Sequence, residues 1–263
     1  MTNLITHRAP ESWQALEDAV QGILSECGMT AERQAHLSFP RGGATVDVFA
    51  TEVVAGISSS TICECKYWRT RVSQDVVQSF RTVMQESGAN RGYIISKVGF
   101  QSGAIQAAHA TNIELLTFEG FQDRYFEKWV SRRLWAVEKA VGSIGTYYEP
   151  FGIPGMNQIA DEVDQARYYE VWRKYMFVGV ILPSFSPYMR TLGRPCPLPT
   201  LPIDIDGAIT NYEVVVPKDL AAATGYREFL ELLEAYALEG LQALRALNPI
   251  ISGKANGKIA RDD

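Results

Sequence analysis

The stretch Thr61-Ile62-Cys63-Glu64-Cys65-Lys66-Tyr67-Trp68 organises the reading of the chain. In a strand successive side chains point to opposite faces, so Glu64 and Lys66 share one face while Cys63, Cys65 and Tyr67 share the other. Cysteine is small and usually buried, which places the Cys63/Cys65 face on the core and turns the charged pair into a cleft. Upstream, Val46-Asp47-Val48-Phe49-Ala50 has the pattern of another short strand, with Asp47 expected opposite Val46 and Val48. If the two strands are neighbours, Asp47 and Glu64 can share a hard divalent cation through oxygen ligands, with Lys66 beside it. An Asp followed by Glu-x-Lys is a metal-nuclease arrangement.

Near the start of the chain, Trp13, Leu16, Val20, Ile23 and Leu24 have the spacing of an amphipathic helix, with Ser12 as N-cap and Gly28 as stop. Glu17 lies beside that apolar stripe. After Phe39-Pro40-Arg41-Gly42-Gly43 the Asp47 strand runs through Val53 and Val54 to Gly56, and Ser58-Ser59-Ser60 leads into the Glu64 strand, a meander of two or three strands. Residues 69–87 are expected to be helical, with Val72, Val76, Val77, Phe80, Val83 and Met84 covering the sheet and Gln74 and Gln78 toward the flank. Gly92-Tyr93-Ile94-Ile95-Ser96 is apolar enough for a strand buried on both faces. A small-residue helix over 102–111 and a strand over 113–118 follow. The order α, β-meander, α, β, α, β predicts an α/β fold in which a mixed α+β sheet is sandwiched by helices.

In these pieces the chain resembles the Mrr-like branch of the restriction-endonuclease-like PD-(D/E)xK nucleases. The matching residues are Leu16-Glu17-Asp18, Val46-Asp47-Val48, Glu64-Cys65-Lys66 and Gly99-Phe100-Gln101-Ser102-Gly103-Ala104, in the family's order and spanning roughly residues 10–122. No Pro precedes Asp47, and this branch commonly lacks it. The resemblance implies a restriction-endonuclease-like α/β/α sandwich that hydrolyses DNA phosphodiester bonds with Mg²⁺, Mn²⁺ substituting, on double-stranded DNA and in defence against foreign DNA. It implies Asp47, Glu64 and the Cys65 carbonyl as metal ligands and Lys66 as the group that orients or deprotonates the attacking water. Glu17 matches a first-helix acid that approaches the metal or its water; an ordinary boundary glutamate is the other reading. Arg69, Arg71, Gln74, Gln78 and Ser102 are the candidates for DNA contact. Ser102 can equally be a helix cap.

Composition is that of an ordinary folded protein of 263 residues, long enough for one large domain or two small ones. No secretory signal and no apolar run of membrane-spanning length is seen, so a cytoplasmic protein without membrane attachment is expected. The four cysteines and three histidines form no zinc or disulfide pattern. A net charge of −5 argues against indiscriminate coating of nucleic acid. Between residues 66 and 113, however, Lys66, Arg69, Arg71, Arg81, Arg91 and Lys97 face only Asp75 and Glu86, an excess that suits either phosphate or a solvated helix face.

Residues 122–141 form an amphipathic helix with Tyr125, Phe126, Trp129, Leu134 and Trp135 interleaved with Arg124, Lys128, Arg132, Arg133 and Lys139. Core, subunit interface and base stacking are all open for it. Beyond it, 160–174 and 223–247 are expected as helices, and Phe177 to Leu182 and Tyr212 to Val216 as strands. The expected domains are 1–122 as nuclease, 123–251 as a helical or α+β accessory region for sensing, oligomerisation or DNA positioning, and 252–263 as a mobile tail. Double-strand cleavage implies a homo-oligomer, expected as a dimer, and another defence-system protein is a conceivable partner. Two alternatives compete: a catalytically inert nucleic-acid-binding module, and a protein-interaction scaffold.

Overall fold

A computed structural model describes residues 4–40, 42–194, 196–204 and 214–252. The chain divides into two compact units, Met1–Arg132 and Arg133–Asp263. The first opens on helix α1, Trp13–Glu26, where the 3.6-residue spacing buries Leu16, Val20, Ile23 and Leu24. The Ser12 hydroxyl accepts from the Ala15 N–H at 3.1 Å, as a cap should, and Gly28 follows at φ 83°.

Three antiparallel strands come next: β1 (Thr30–Phe39), β2 (Gly42–Val54) and β3 (Ile57–Lys66). Ala55 and Gly56 turn β2 into β3 with positive φ at both positions, the twist a tight hairpin favours. Helix α2 (Gln74–Ser87) then crosses over to β4 (Arg91–Ser96), which lies parallel to β3. A second crossover through α3 (Ser102–Ala108) reaches β5 (Ile113–Leu116), parallel to β4, and helix α4 (Phe118–Val141) follows. The sheet is five-stranded in the order β1-β2-β3-β4-β5, a mixed sheet as expected.

Each face of the sheet has its own core. Under α2 and α3, Ile62, Ile94, Val46 and Ile113 pack with Val77, Phe80, Met84 and Ala104. Gly92 allows this close approach, because a Cβ there would lie 2.7 Å from the Phe80 ring and 2.8 Å from the Met84 sulfur. On the other face Tyr93 meets Phe121 and Tyr125 of α4 with ring centroids 5.6 and 5.7 Å apart, edge to face. Trp129 is buried and donates to Glu26. Of the aromatics considered for an interface, Tyr125 and Trp129 are therefore spent inside the first unit.

Helix α2 begins at Gln74 rather than 69, because residues 67–73 are used to join the ends of β3 and β4. Val72 N–H donates to Gly99 O at 3.0 Å and Gln101 N–H to Val72 O at 3.0 Å. This sets the start of α2 next to the start of α3.

Among its described residues the second unit is helical, with α5 (Glu162–Lys174), α6 (Met176–Ile181), α7 (Pro187–Thr191), α8 (Lys218–Ala222), α9 (Tyr226–Leu247) and α10 (Pro249–Ser252). The strand expected from Phe177 to Leu182 is instead helix α6. A Cβ at Gly179 would fall 2.3 Å from the Tyr148 ring, so this helix packs through a bare backbone position. Of the strand expected from Tyr212 to Val216, residues 212–213 lie outside the described residues and 214–216 carry no strand. The tail expected from 252 lies, past Ser252, outside the described residues as well. No described helix is long and apolar enough to cross a membrane.

Candidate active site

The pairing of β2 with β3 runs from Val54↔Ile57 to Val48↔Cys63 and stops there, while β2 stays paired with β1 through Ala35↔Val46. Asp47 sits at this split. Opposite it, Gln34 has φ 50°, a left-handed residue in the middle of a strand. Val46 and Phe49 both pack on the cluster beneath α2 although they are three residues apart, so the alternation expected for Val46, Asp47 and Val48 is interrupted here. The interruption frees the Asp47 carboxylate to fill the split, where its Oδ2 accepts from the Cys65 N–H at 2.6 Å. Beyond it, the Lys66 carbonyl accepts from Lys97 N on the β4 side, so strand alternation turns the Cys65 carbonyl toward the edge that Asp47 occupies.

Burial, and then the charge of Glu64, pushes the Asp47 carboxyl from its ordinary 3.8 up to about 6, against the hydrogen bond from Cys65 and the charge of Lys66. Glu17 adds a smaller push in the same direction. Glu64 and Lys66 share a face of β3, as expected, and form an ion pair. They line an open cleft of about 360 Å³ with Thr45, Trp68, Asp75 and Ser79. Trp68 lies under the ammonium, 5.2 Å from ring centroid to Nζ. Cys63 and Cys65 are buried on the other face, and burial raises both thiols far above the usual range, which leaves them inert.

Glu17 is almost wholly buried, 2% exposed, on α1. Its Oε2 accepts from Arg33 Nη2 at 3.0 Å and from Gln34 Nε2 at 2.9 Å. Arg33 also pairs with Asp18. Neither Arg33 nor Gln34 was marked by sequence pattern, since the polar run Thr30–Phe39 gives no clear strand signal and the contact spans 16 and 17 positions.

The candidates for DNA contact are all exposed: Arg69 and Arg71 on the loop after β3, Gln74 and Gln78 one turn apart on α2, and Ser102 at the start of α3. The paired loops gather several of them, with the Gln74 amide oxygen 3.0 Å from where a Gly103 Cβ would be and Gln101 Nε2 donating to Arg71 O at 3.5 Å. The Ser102 hydroxyl makes no cap bond; the N-cap is Gln101. Lys97 adds a charge at the same sheet edge, its Nζ 3.9 Å from the Tyr67 ring centroid.

Against known proteins, residues 9–125 match the family model Mrr_cat, described as a restriction endonuclease. Residues 9–125 are a Mrr-type restriction-endonuclease domain. The Mrr-type domain thus contains every residue of the split between β2 and β3, and its class is that of DNA nucleases. No curated protein matches the sequence. Two solved structures overlap the chain loosely. One is AF1548, a protein of unknown function, with a TM-score of 0.36, 11% identity, and coverage of 90% of this chain and 98% of the other. The second is the DNA modification-dependent restriction endonuclease AspBHI, with a TM-score of 0.29, 15% identity, and coverage of 47% of this chain and 38% of that one.

The donor chemistry of the Mrr-type domain suits a hard cation. Among the described residues no set of three or more His, Cys, Asp and Glu side chains forms a metal cage. Asp47 in the split, Glu64 in the adjoining cleft and the Cys65 carbonyl are oxygen donors only, and Mg²⁺ is commonly held by one or two carboxylates while keeping several waters. Burial and the neighbouring Glu64 charge raise the proton affinity of Asp47, and a divalent cation is the charge that would relieve it.

Proposed function

We propose that the protein is a Mg²⁺-dependent endodeoxyribonuclease that cuts double-stranded DNA, with Mn²⁺ able to substitute. The observation that carries this is Asp47, seated between β2 and β3 with its carboxyl raised to about 6 beside Glu64, inside a Mrr-type domain. Asp47, Glu64 and the Cys65 carbonyl would hold the ion. When bound, the ion supplies Lewis-acid stabilisation of the scissile phosphate and lowers the pKa of a coordinated water.

The chain's own residues do the rest. Lys66, paired with Glu64 and backed by Trp68, presents an ammonium to the cleft that orients the attacking water and meets the phosphate charge. Arg69, Arg71, Gln74, Gln78 and Ser102 lie along the exposed rim made by the starts of α2 and α3, and there they would position the duplex through its phosphates. Glu17, fixed by β1, stands on the α1 side of Asp47. A role against foreign DNA follows from the family resemblance, and cutting both strands with one metal centre per chain would call for pairing into a homodimer.

Supercoiled plasmid incubated with the protein and Mg²⁺, Mn²⁺ or EDTA tests the reading. Open-circle and linear products should form with either metal and not with EDTA. Binding of DNA with no cleavage under any metal would favour an inert nucleic-acid-binding module instead.

A further inference from the structure

We propose that Gln34 is a positioning residue of the nuclease centre, whose left-handed backbone brings its amide and the Arg33 guanidinium to one carboxylate, that of Glu17. The inference rests on the nuclease reading above and adds to it. In a regular strand consecutive side chains point to opposite faces, so Arg33 and Gln34 cannot both reach one group. Here both reach Glu17 Oε2, at 3.0 and 2.9 Å, because Gln34 adopts φ 50°. A glutamine gains nothing sterically from that conformation, which is disfavoured for any residue with a Cβ. Gln34 is itself exposed, so core packing does not impose the conformation.

The location ties this kink to the site. Gln34 lies across from Asp47, between the pairs Arg33↔Val48 and Ala35↔Val46. The same interruption frees Asp47 to reach Cys65. All the donors from β1 converge on Oε2 of Glu17, so Oε1 takes none of these bonds. A carboxylate fixed in this way beside Asp47 can hold a water without turning away, whereas an unclamped one would rotate. Backbone strain that sits at a site and aims a side chain into it is retained for what it positions.

The test separates stability from function. Gln34→Gly keeps the positive φ at no steric cost and removes the amide, so the variant should fold, with a loss in melting temperature limited to that of one hydrogen bond to Glu17. It should nonetheless lose about 10- to 100-fold in kcat on plasmid DNA, with KM for DNA unchanged, and bind Ca²⁺ more weakly by about tenfold in calorimetry without DNA. Gln34→Asn, which also tolerates positive φ but is one methylene shorter, should show the same loss and serves if the glycine variant does not fold. Wild-type kcat and Ca²⁺ affinity in either folded variant would overturn the proposal while leaving the nuclease reading intact. A wild-type protein that neither cleaves DNA nor binds Ca²⁺ would overturn both.

Discussion

The Asp47 carboxylate fills the split between β2 and β3 and accepts from the Cys65 N–H, while burial and the Glu64 charge hold its proton affinity up. The Asp, Glu-x-Lys spacing located the carboxylates, and the Glu64/Lys66 face and the buried Cys63/Cys65 face follow from two-residue periodicity. That periodicity could not reveal that β2 loses its alternation at Asp47, because the cause is a left-handed residue on the neighbouring strand. The raised carboxyl has a consequence for stability. A folded-state pKa of about 6 against an ordinary 3.8 means that the folded form holds the proton longer, so stability falls as pH rises between those values and stays lower above them. Asp47→Asn keeps an acceptor for the Cys65 N–H and removes the charge. After allowance for solvent screening the gain should be on the order of 1–2 kcal/mol near neutral pH. Thermal melts of the metal-free protein at pH 7.5 should therefore show a rise of roughly 2–8 °C for the variant, and the variant should lack the decline from pH 4 to 6. A variant that melts lower at pH 7.5 would show that Asp47 is well accommodated as a charge. The same substitution should abolish DNA cleavage.

At the scale of elements, the fold of the first unit was legible wherever one face is apolar. Helix α1, helix α2 and strands β3 to β5 announce themselves by period and by their glycine and serine punctuation. Strand β1 did not, since Thr30–Phe39 is an edge strand with one buried residue, Ala35, and its polar side chains serve contacts to Glu17 and Asp18 rather than a core. Helix α6 was misread as a strand because a short apolar run with Val178, Val180 and Ile181 satisfies both patterns; the packing of Tyr148 against Gly179 decides it. The sheet positions the site through α2, whose close seat depends on Gly92. Gly92→Val would drive methyl groups into Phe80 and Met84, and an overpacked seat of this kind costs ~1–3 kcal/mol. Urea titration should show a lower midpoint, with DNA affinity reduced as Gln74 and Gln78 are displaced. An unchanged midpoint would mean that α2 is not held by this contact.

The second unit is legible in the sequence only as helix and strand patterns, and the match to Mrr_cat ends at residue 125. If each chain carries the one metal centre proposed, a double-strand break calls for two chains in opposite orientation, and light scattering on duplex DNA should give the mass of a dimer. A monomer on DNA that produces only nicks would remove the pairing and keep the hydrolysis. Tyr125 and Trp129, which an interface reading of the aromatic helix would use, are already buried in the first unit, so a dimer contact must be made by other residues. The proposal that the split between β2 and β3 is the hydrolytic centre makes Glu64 essential to cleavage. It is tested most directly by the Mg²⁺-dependent rate of plasmid cleavage by wild type and by Glu64→Ala, each shown to be folded. Wild type should cleave, and the variant should lose at least about a hundredfold in rate. Cleavage by Glu64→Ala at the wild-type rate would place the chemistry elsewhere in the chain.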